Sequence, residues 1–190
     1  ISGWGTDSSI WDTVLTSFIS NYRCDRVSWR ECLNSGPSNN SLFELLAKQN
    51  NPMILVGWSL GGMIALSAAI TFPEKVSGLV IVSSSARMVQ DKEYVGVNPR
   101  VLKAMKFRLK TDKQGLLNDF AVMGISPGKN NSIRNDFVNK ALEIDNNKLS
   151  EGLAYLQNSD LRDRIPIIKV PVNIIHGECD EIMNFANARY

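Results

Sequence analysis

Histidine is almost missing from this chain of 190 residues: His176 stands alone, and the three cysteines, Cys24, Cys32 and Cys179, are odd in number. Their spacing matches no zinc pattern and no carboxylates pair at ligand spacing, so neither a metal site nor a disulfide framework is expected. Free thiols suit a reducing compartment. No apolar run approaches the ~18 residues that span a bilayer, and the start has no basic segment leading into an apolar one. The chain therefore reads as soluble and cytoplasmic, with no membrane partner. A phosphate loop is lacking too, because Gly57 to Gly62 has no closing Lys-Ser/Thr, and no cofactor is expected. Net charge is only +2. Nothing here marks a nucleic-acid surface, and a charged partner has to be argued from local clusters.

What is present is an ordinary globular composition, 44% hydrophobic and 21% charged, sufficient for the core of one domain with an inserted subdomain. The organising stretch is Pro52-Met53-Ile54-Leu55-Val56-Gly57-Trp58-Ser59-Leu60-Gly61-Gly62. Residues 53–56 read as a buried strand, which stops at a serine flanked by glycines. Small and apolar residues from Leu60 to Ile70 then suit a helix packed on a sheet. Gly57-Trp58-Ser59-Leu60-Gly61 fits G-x-S-x-G, and strand, sharp turn, helix is the context that motif needs. Crowding explains the pattern: glycines let strand and helix approach, and the strained turn pushes Ser59 Oγ out at the carboxyl edge of the sheet. The Leu60 N–H points to the same place from the helix N-terminus, where unsatisfied donors favour a developing oxyanion.

Ahead of that stretch, Ile1-Ser2-Gly3-Trp4-Gly5 begins without methionine and reads as the end of a strand breaking into a glycine turn. Asp7, Ser8 and Ser9 offer a cap to an amphipathic helix over 9–20, with Trp11, Val14, Leu15, Phe18 and Ile19 on its apolar face. Residues 26–29 suggest a short strand and 34–40 a loop. Ser41 should cap a helix that turns Leu42, Leu45 and Leu46 to the core. After the elbow helix, which ends near Phe72-Pro73, residues 76–82 form a β-branched strand ending in Ser83, Ser84 and Ser85. Strand, helix, strand at this spacing is the βαβ signature of a parallel sheet, so the fold class is α/β. Ligands of such sheets bind beyond the carboxyl ends of the strands.

Residues 87–164 carry helical patterns and no convincing strand. One helix opens at Asn98-Pro99 with Val101, Leu102, Met105 and Leu109 on its apolar face; Asp112 caps the next, with Leu116, Leu117, Phe120 and Val122. After a loop at 126–131, Ser132 opens a third helix and a fourth runs over 148–156. Such a block reads as a lid over a core made of 1–86 and 165–190. From Arg87 to Lys113 eight basic residues face three acidic ones, an excess of five. Lys103, Lys106 and Lys110, with Arg100 nearby, form a stripe opposite the apolar face: either a solvated surface or a dock for an acidic partner. Residues 170–177 make a further strand, and Asp180, just past its end, lies at the active edge.

The turn Gly3-Trp4-Gly5, the elbow with its extra Gly62, the helical insertion and the segment 160–180 together resemble the α/β-hydrolase family. Within it, the Gly-Trp-Gly turn paired with Gly-Trp-Ser-Leu-Gly-Gly is most similar to the esterases that act on a carrier-linked pimeloyl methyl ester in biotin synthesis. The resemblance implies Ser59 as nucleophile, Asp180 as acid, the N–H groups of Trp4 and Leu60 as oxyanion hole, and Trp58 with Trp4 beside the acyl group. It implies a small ester or acyl substrate and gives Arg100, Lys103, Lys106 and Lys110 a purpose, docking of an acyl carrier protein. The family order is Ser, acid, His, and it places the histidine, the first strands and the last strand and helix outside this sequence. Ser2 stands where the family usually has histidine. His176 matches a structural His-Gly pair; four residues before the acid, it is expected not to complete a triad. A general esterase, a thioesterase or a C–C bond hydrolase, and a non-catalytic binding protein of the same fold, remain open.

Overall fold

The computed structural model describes residues 1–33, 41–125 and 131–189, with the side chain of Ser41 outside the description. The loop expected at 34–40, most of that at 126–131 and the Ser41 cap lie outside the described residues.

Three parallel strands, β1 (Met53–Trp58), β2 (Val76–Val82) and β3 (Val172–Ile175), are ordered β1-β2-β3. Their register puts Trp58, Val82 and Ile175 in one row, so the three chains leave the sheet at the same level. The row is continued by two more bonds, Ser59 N–H to Val82 O at 2.9 Å and Ser83 N–H to Ile175 O at 2.8 Å. Helix α4 (Leu60–Thr71) joins β1 to β2 and is buried almost all round: Leu60, Met63, Ala65 and Ala68 are fully enclosed. The βαβ reading therefore holds.

The strand over 53–56 is not wholly buried as expected. Period-2 alternation turns Leu55 and Gly57 toward α4, whereas Ile54 is 61% exposed. Val172, Ile174 and Ile175 on β3 are exposed as well. Hydrophobic content alone suggests burial; which face is covered depends on what packs there.

Corrections at the N-terminal side are local in origin. The helix expected over 9–20 is a 3-10 turn at Ser8–Trp11, capped by Asp7 accepting from Ser9 N–H at 2.8 Å, then a single turn α1 (Asp12–Leu15). Irregular turns follow, and Val14, Phe18 and Ile19 are exposed. Hydroxyl residues compete for the backbone there, as Thr16 Oγ1 does by donating to Thr13 O at 2.7 Å. No strand forms over 26–29. Ser28 instead caps α2 (Trp29–Cys32) in a capping box, accepting from Arg30 N–H while its own N–H donates to Glu31 at 2.7 Å. The Ser-x-x-Glu spacing carries that signal in the sequence. Helix α3 (Ser41–Lys48) buries Leu42 and Leu46 as expected.

Between β2 and β3 run α5 (Pro99–Thr111), α6 (Lys113–Gly124), α7 (Asn131–Leu142) and α8 (Asn146–Asn158). Asn98 and Asp112 cap α5 and α6 as their side chains predict, and Asp145 starts α8 two residues ahead of the expected position. Leu102, Leu109, Leu116 and Leu117 are buried, but Val101 and Val122, placed on the apolar faces by periodicity, are exposed. Helix α5 packs on α8 and α6 on α7.

The two ends of this helical run meet. Leu161 N–H donates to Ala86 O at 3.0 Å, Arg87 pairs with Asp160, and Arg162 binds Asp160 at 2.7 Å and Asp91 at 2.9 Å while lying over the Tyr94 ring. Hydrogen bonds from Arg162, and then Arg87, hold the Asp160 carboxyl well below the usual carboxylate range. A group so depressed contributes stability above its unfolded value of ~3.9, and that contribution is lost as pH falls through the lower folded value. Asp160→Asn should accordingly melt below wild type at neutral pH, with the gap closing as pH drops below ~4. Parallel thermal melts from pH 7 downward check this, and a pH-independent gap contradicts it.

Candidate active site

Ser59 sits between β1 and α4 with φ 52° and ψ −119°, a conformation that a residue bearing a Cβ adopts at a cost of about 1–3 kcal/mol. The surroundings enforce it. A Cβ on Gly57 would lie 2.4 Å from Gly61 O, one on Gly61 would lie 2.4 Å from Ile1 O and 2.5 Å from Ser2 O, and one on Gly62 would lie 2.5 Å from Ser84 Cβ. Three segments thus cross at the elbow with room for hydrogen only. The Ser59 carbonyl is held by Ser84 Oγ at 2.6 Å and by the N–H groups of Gly62 and Met63. The serine therefore cannot relax without moving the start of α4.

A cavity of about 670 Å³ opens at this edge. Trp4, Trp58, Ser59 and Asp180 all line it, so the structure brings together four of the residues singled out in the sequence. Leu60 is fully buried beneath it; among the described residues neither its N–H nor that of Trp4 donates to a backbone carbonyl. Trp58 rests over Gly3, whose Cβ would meet the indole at 3.0 Å. Arg100, Lys103, Lys106 and Lys110 do not line the cavity and lie on α5.

Asp180 is fixed by its own turn: one oxygen accepts from Ile182 N–H at 2.9 Å and Met183 N–H at 2.8 Å. The other lies 3.7 Å from His176 Nε2, so the two side chains approach more closely than their shared strand end suggests. His176 nonetheless stays out of the cavity that Ser59 lines. Its side chain is 1% exposed, Nε2 is 2.8 Å from Met183 O, Nδ1 has no partner among the described residues, and it does not line the cavity.

Sequence reasoning misses the apolar wall. Phe120 and Phe137, 5.9 Å apart and stacked, and Ile182 and Met183 line the cavity. Helical spacing reads equally as core, and on that ground it places Phe120 on the apolar face of its helix and no more. Phe120 also meets the Trp4 ring edge-on at 5.1 Å, linking the helical run to the Gly-Trp-Gly turn. Ser83, itself at φ 42°, stands beside Ser59 on the cavity wall. Cys179 is on the same wall and exposed, whereas burial pushes the Cys32 thiol up to about 12 and keeps it inert.

A strained serine between a parallel strand and a helix, sharing a cavity with a carboxylate beyond the third strand, is the arrangement of the nucleophile-elbow hydrolases. Residues 40–190 match the family described as the alpha/beta hydrolase fold, and the chain belongs to it. Among particular proteins, it is 33% identical to the pimeloyl-[acyl-carrier protein] methyl ester esterase of Wigglesworthia glossinidia brevipalpis over 96% of this chain and 74% of that one. It is 30% identical to the protein of the same name from Aliivibrio fischeri strain MJ11, over the whole chain and 77% of the relative. In three dimensions it is similar to an esterase from Exiguobacterium antarcticum, with a TM-score of 0.83 at 21% identity, covering 98% of this chain and 75% of that one.

Proposed function

We propose that the protein is a serine carboxylesterase that hydrolyses the methyl ester of a pimeloyl chain carried on acyl carrier protein. The observation that carries the reading is the shared cavity of Ser59, Asp180, Trp4 and Trp58; the names of the relatives supply the substrate. Ser59 Oγ attacks the ester carbonyl, and the oxyanion is received by the N–H groups of Trp4 and Leu60. Collapse of the tetrahedral intermediate breaks the acyl–oxygen bond and expels methanol, and water then releases the acid from the acyl-enzyme. The Ser59 proton needs a base. His176 is not assigned to that task; in the family's Ser, acid, His order the base follows the acid, and Asp180 is the group that would orient it. Among the described residues lining the cavity there is no Lys or Arg. The acyl chain is therefore gripped by Phe120, Phe137 and Ile182 through apolar contact, a wall that would also accept simple esters and supports a general esterase as second reading.

Residues 87–164 act, in this proposal, as a lid on a core of 1–86 and 165–190, and three cysteines, odd in number and without metal-type spacing, suit a cytoplasmic setting. Among the described residues no helix is long and apolar enough to cross a membrane. The carrier docks on α5. There Lys106 is partly committed, donating to Gln157 Oε1 at 2.8 Å. Arg100, Lys103 and Lys110 are exposed around Phe107, which is 67% exposed, and form the better surface for an acidic protein. Reversing Lys103 and Lys110 to Glu should raise KM for the carrier-linked ester by ~10-fold, about 1.4 kcal/mol, and leave a small soluble methyl ester untouched. Steady-state kinetics on both substrates decide it: equal loss on both, or on neither, removes the docking surface.

A further inference from the structure

We infer that Trp29 and Gly152, neither of which touches the cavity, are the positioning residues that hold the Trp4 N–H where an oxyanion forms. The inference rests on the hydrolase reading above and concerns how its oxyanion hole is built. The turn Ser2 to Thr6 carries Trp4 and reverses at Gly5, where φ is 76°. Within it, Thr6 N–H and Thr6 Oγ1 both donate to Gly3 O, at 3.2 and 2.7 Å.

The anchoring comes from outside. Trp29 is fully buried, its Nε1–H donates to Thr6 O at 3.0 Å, and its backbone N–H donates to Ser2 Oγ at 3.3 Å. Ser2 N–H in turn donates to Val27 O at 3.3 Å. One residue of α2 thus holds the turn at both ends. A second anchor is α8, which accepts the Trp4 indole: Nε1–H donates to Leu149 O at 2.9 Å. One helical turn on, a Cβ on Gly152 would stand 2.7 Å from Trp4 Cδ1 and 2.7 Å from Trp29 Cζ3. Gly152 is therefore the point where both indoles and α8 converge, and two large rings fit there because no side chain does.

Hydrogen-bond donors stabilise a transition state only from the right distance, about 2.7–3.1 Å from the developing charge. A Cβ at position 152 must push one ring or both aside, and because the Trp4 ring is pinned by Leu149 O and packed against Phe120, its displacement is passed to the backbone N–H of the same residue. Trp29→Phe keeps an aromatic ring in place and deletes one hydrogen bond to the turn. Both changes should act on the transition state with little effect on ground-state binding.

The test is kinetic and uses the full chain. For Trp29→Phe and Gly152→Ala, kcat on a soluble nitrophenyl ester should fall by ~10-fold or more, approaching the ~10²-fold of a lost donor, with KM within ~2-fold. Affinity for a boronic acid, which mimics the tetrahedral intermediate, should fall by the same factor at a temperature where the variants are fully folded by circular dichroism. If Gly152→Ala does not fold, Trp29→Phe decides alone. Unchanged kcat and boronate affinity in folded Trp29→Phe overturn the inference, as does a loss that tracks only the folded fraction. A wild-type protein that neither turns over the ester nor binds the boronate refutes the hydrolase reading itself, and the positioning role falls with it.

Discussion

Replacing Ser59 with alanine is expected to lower ester hydrolysis by ~10⁴-fold or more, to the background left by binding and the oxyanion donors. The same change should abolish covalent capture by a fluorophosphonate, which wild type should show as a single adduct in the intact mass, mapped to Ser59. Stability should hardly move. The serine is already a non-glycine residue at φ 52°, and alanine inherits the same backbone strain. No hydrogen bond within the elbow depends on Oγ; the Ser59 contacts that tie strand to helix run through its N–H and carbonyl. Activity and melting temperature should thus separate cleanly. A wild-type protein that takes no label, with Ser59→Ala binding acyl ligands as well as wild type does, would favour a non-catalytic binding protein of this fold.

The second large effect is steric. Gly61→Ala should destabilise the protein by ~3 kcal/mol or more, because its Cβ would stand 2.4 and 2.5 Å from the backbone oxygens of Ile1 and Ser2, and backbone cannot swing away as a side-chain tip can. For a chain of this size that corresponds to roughly 6–12 °C in melting temperature. Gly57→Ala meets the Gly61 carbonyl at 2.4 Å and should behave alike. Gly78→Ala is the internal control, since its Cβ would find ordinary contacts at 3.6 and 3.7 Å in the middle of β2. Thermal melts of the three variants check the ranking. A Gly61→Ala protein melting within ~2 °C of wild type would mean that the Ile1–Ser2 segment does not press on the start of α4 as closely as these distances require.

The elbow on which both effects depend is also the part of the molecule most legible in the amino-acid sequence. It is encoded within six residues, although only Gly57 answers to a neighbour, Gly61; Gly61 and Gly62 make room for Ile1, Ser2 and Ser84 from elsewhere in the chain. Helices α5 and α6 are legible for a similar reason: Asn98 and Asp112 cap through hydrogen bonds to the second or third residue beyond, and such bonds are local. The Ser28 to Glu31 capping box is equally local, and it prevails over the short strand that residues 26–29 suggest. The helix expected over 9–20 shows the converse. Its apolar periodicity is real, but periodicity stabilises a helix only when the stripe is covered, and Phe18 and Ile19 are exposed.

By itself, then, the sequence determined the strained serine turn, the parallel βαβ unit, the helical run after β2 and the carboxylate beyond β3, because each is announced by a local signal: glycines around a serine, short apolar runs, helix caps and a carboxylate just past a strand end. Tertiary structure alone decided the rest. It put Phe120 and Phe137 on the cavity wall where they edge the core, set Lys106 on Gln157 and left Lys103 and Lys110 exposed, and kept His176 out of the cavity lining while bringing it 3.7 Å from Asp180. It joined Arg87 to Asp160 across 73 residues and closed α8 over the indoles of Trp4 and Trp29. Such contacts follow from how whole elements pack, and an amphipathic pattern says which face of a helix is apolar without saying what that face will meet.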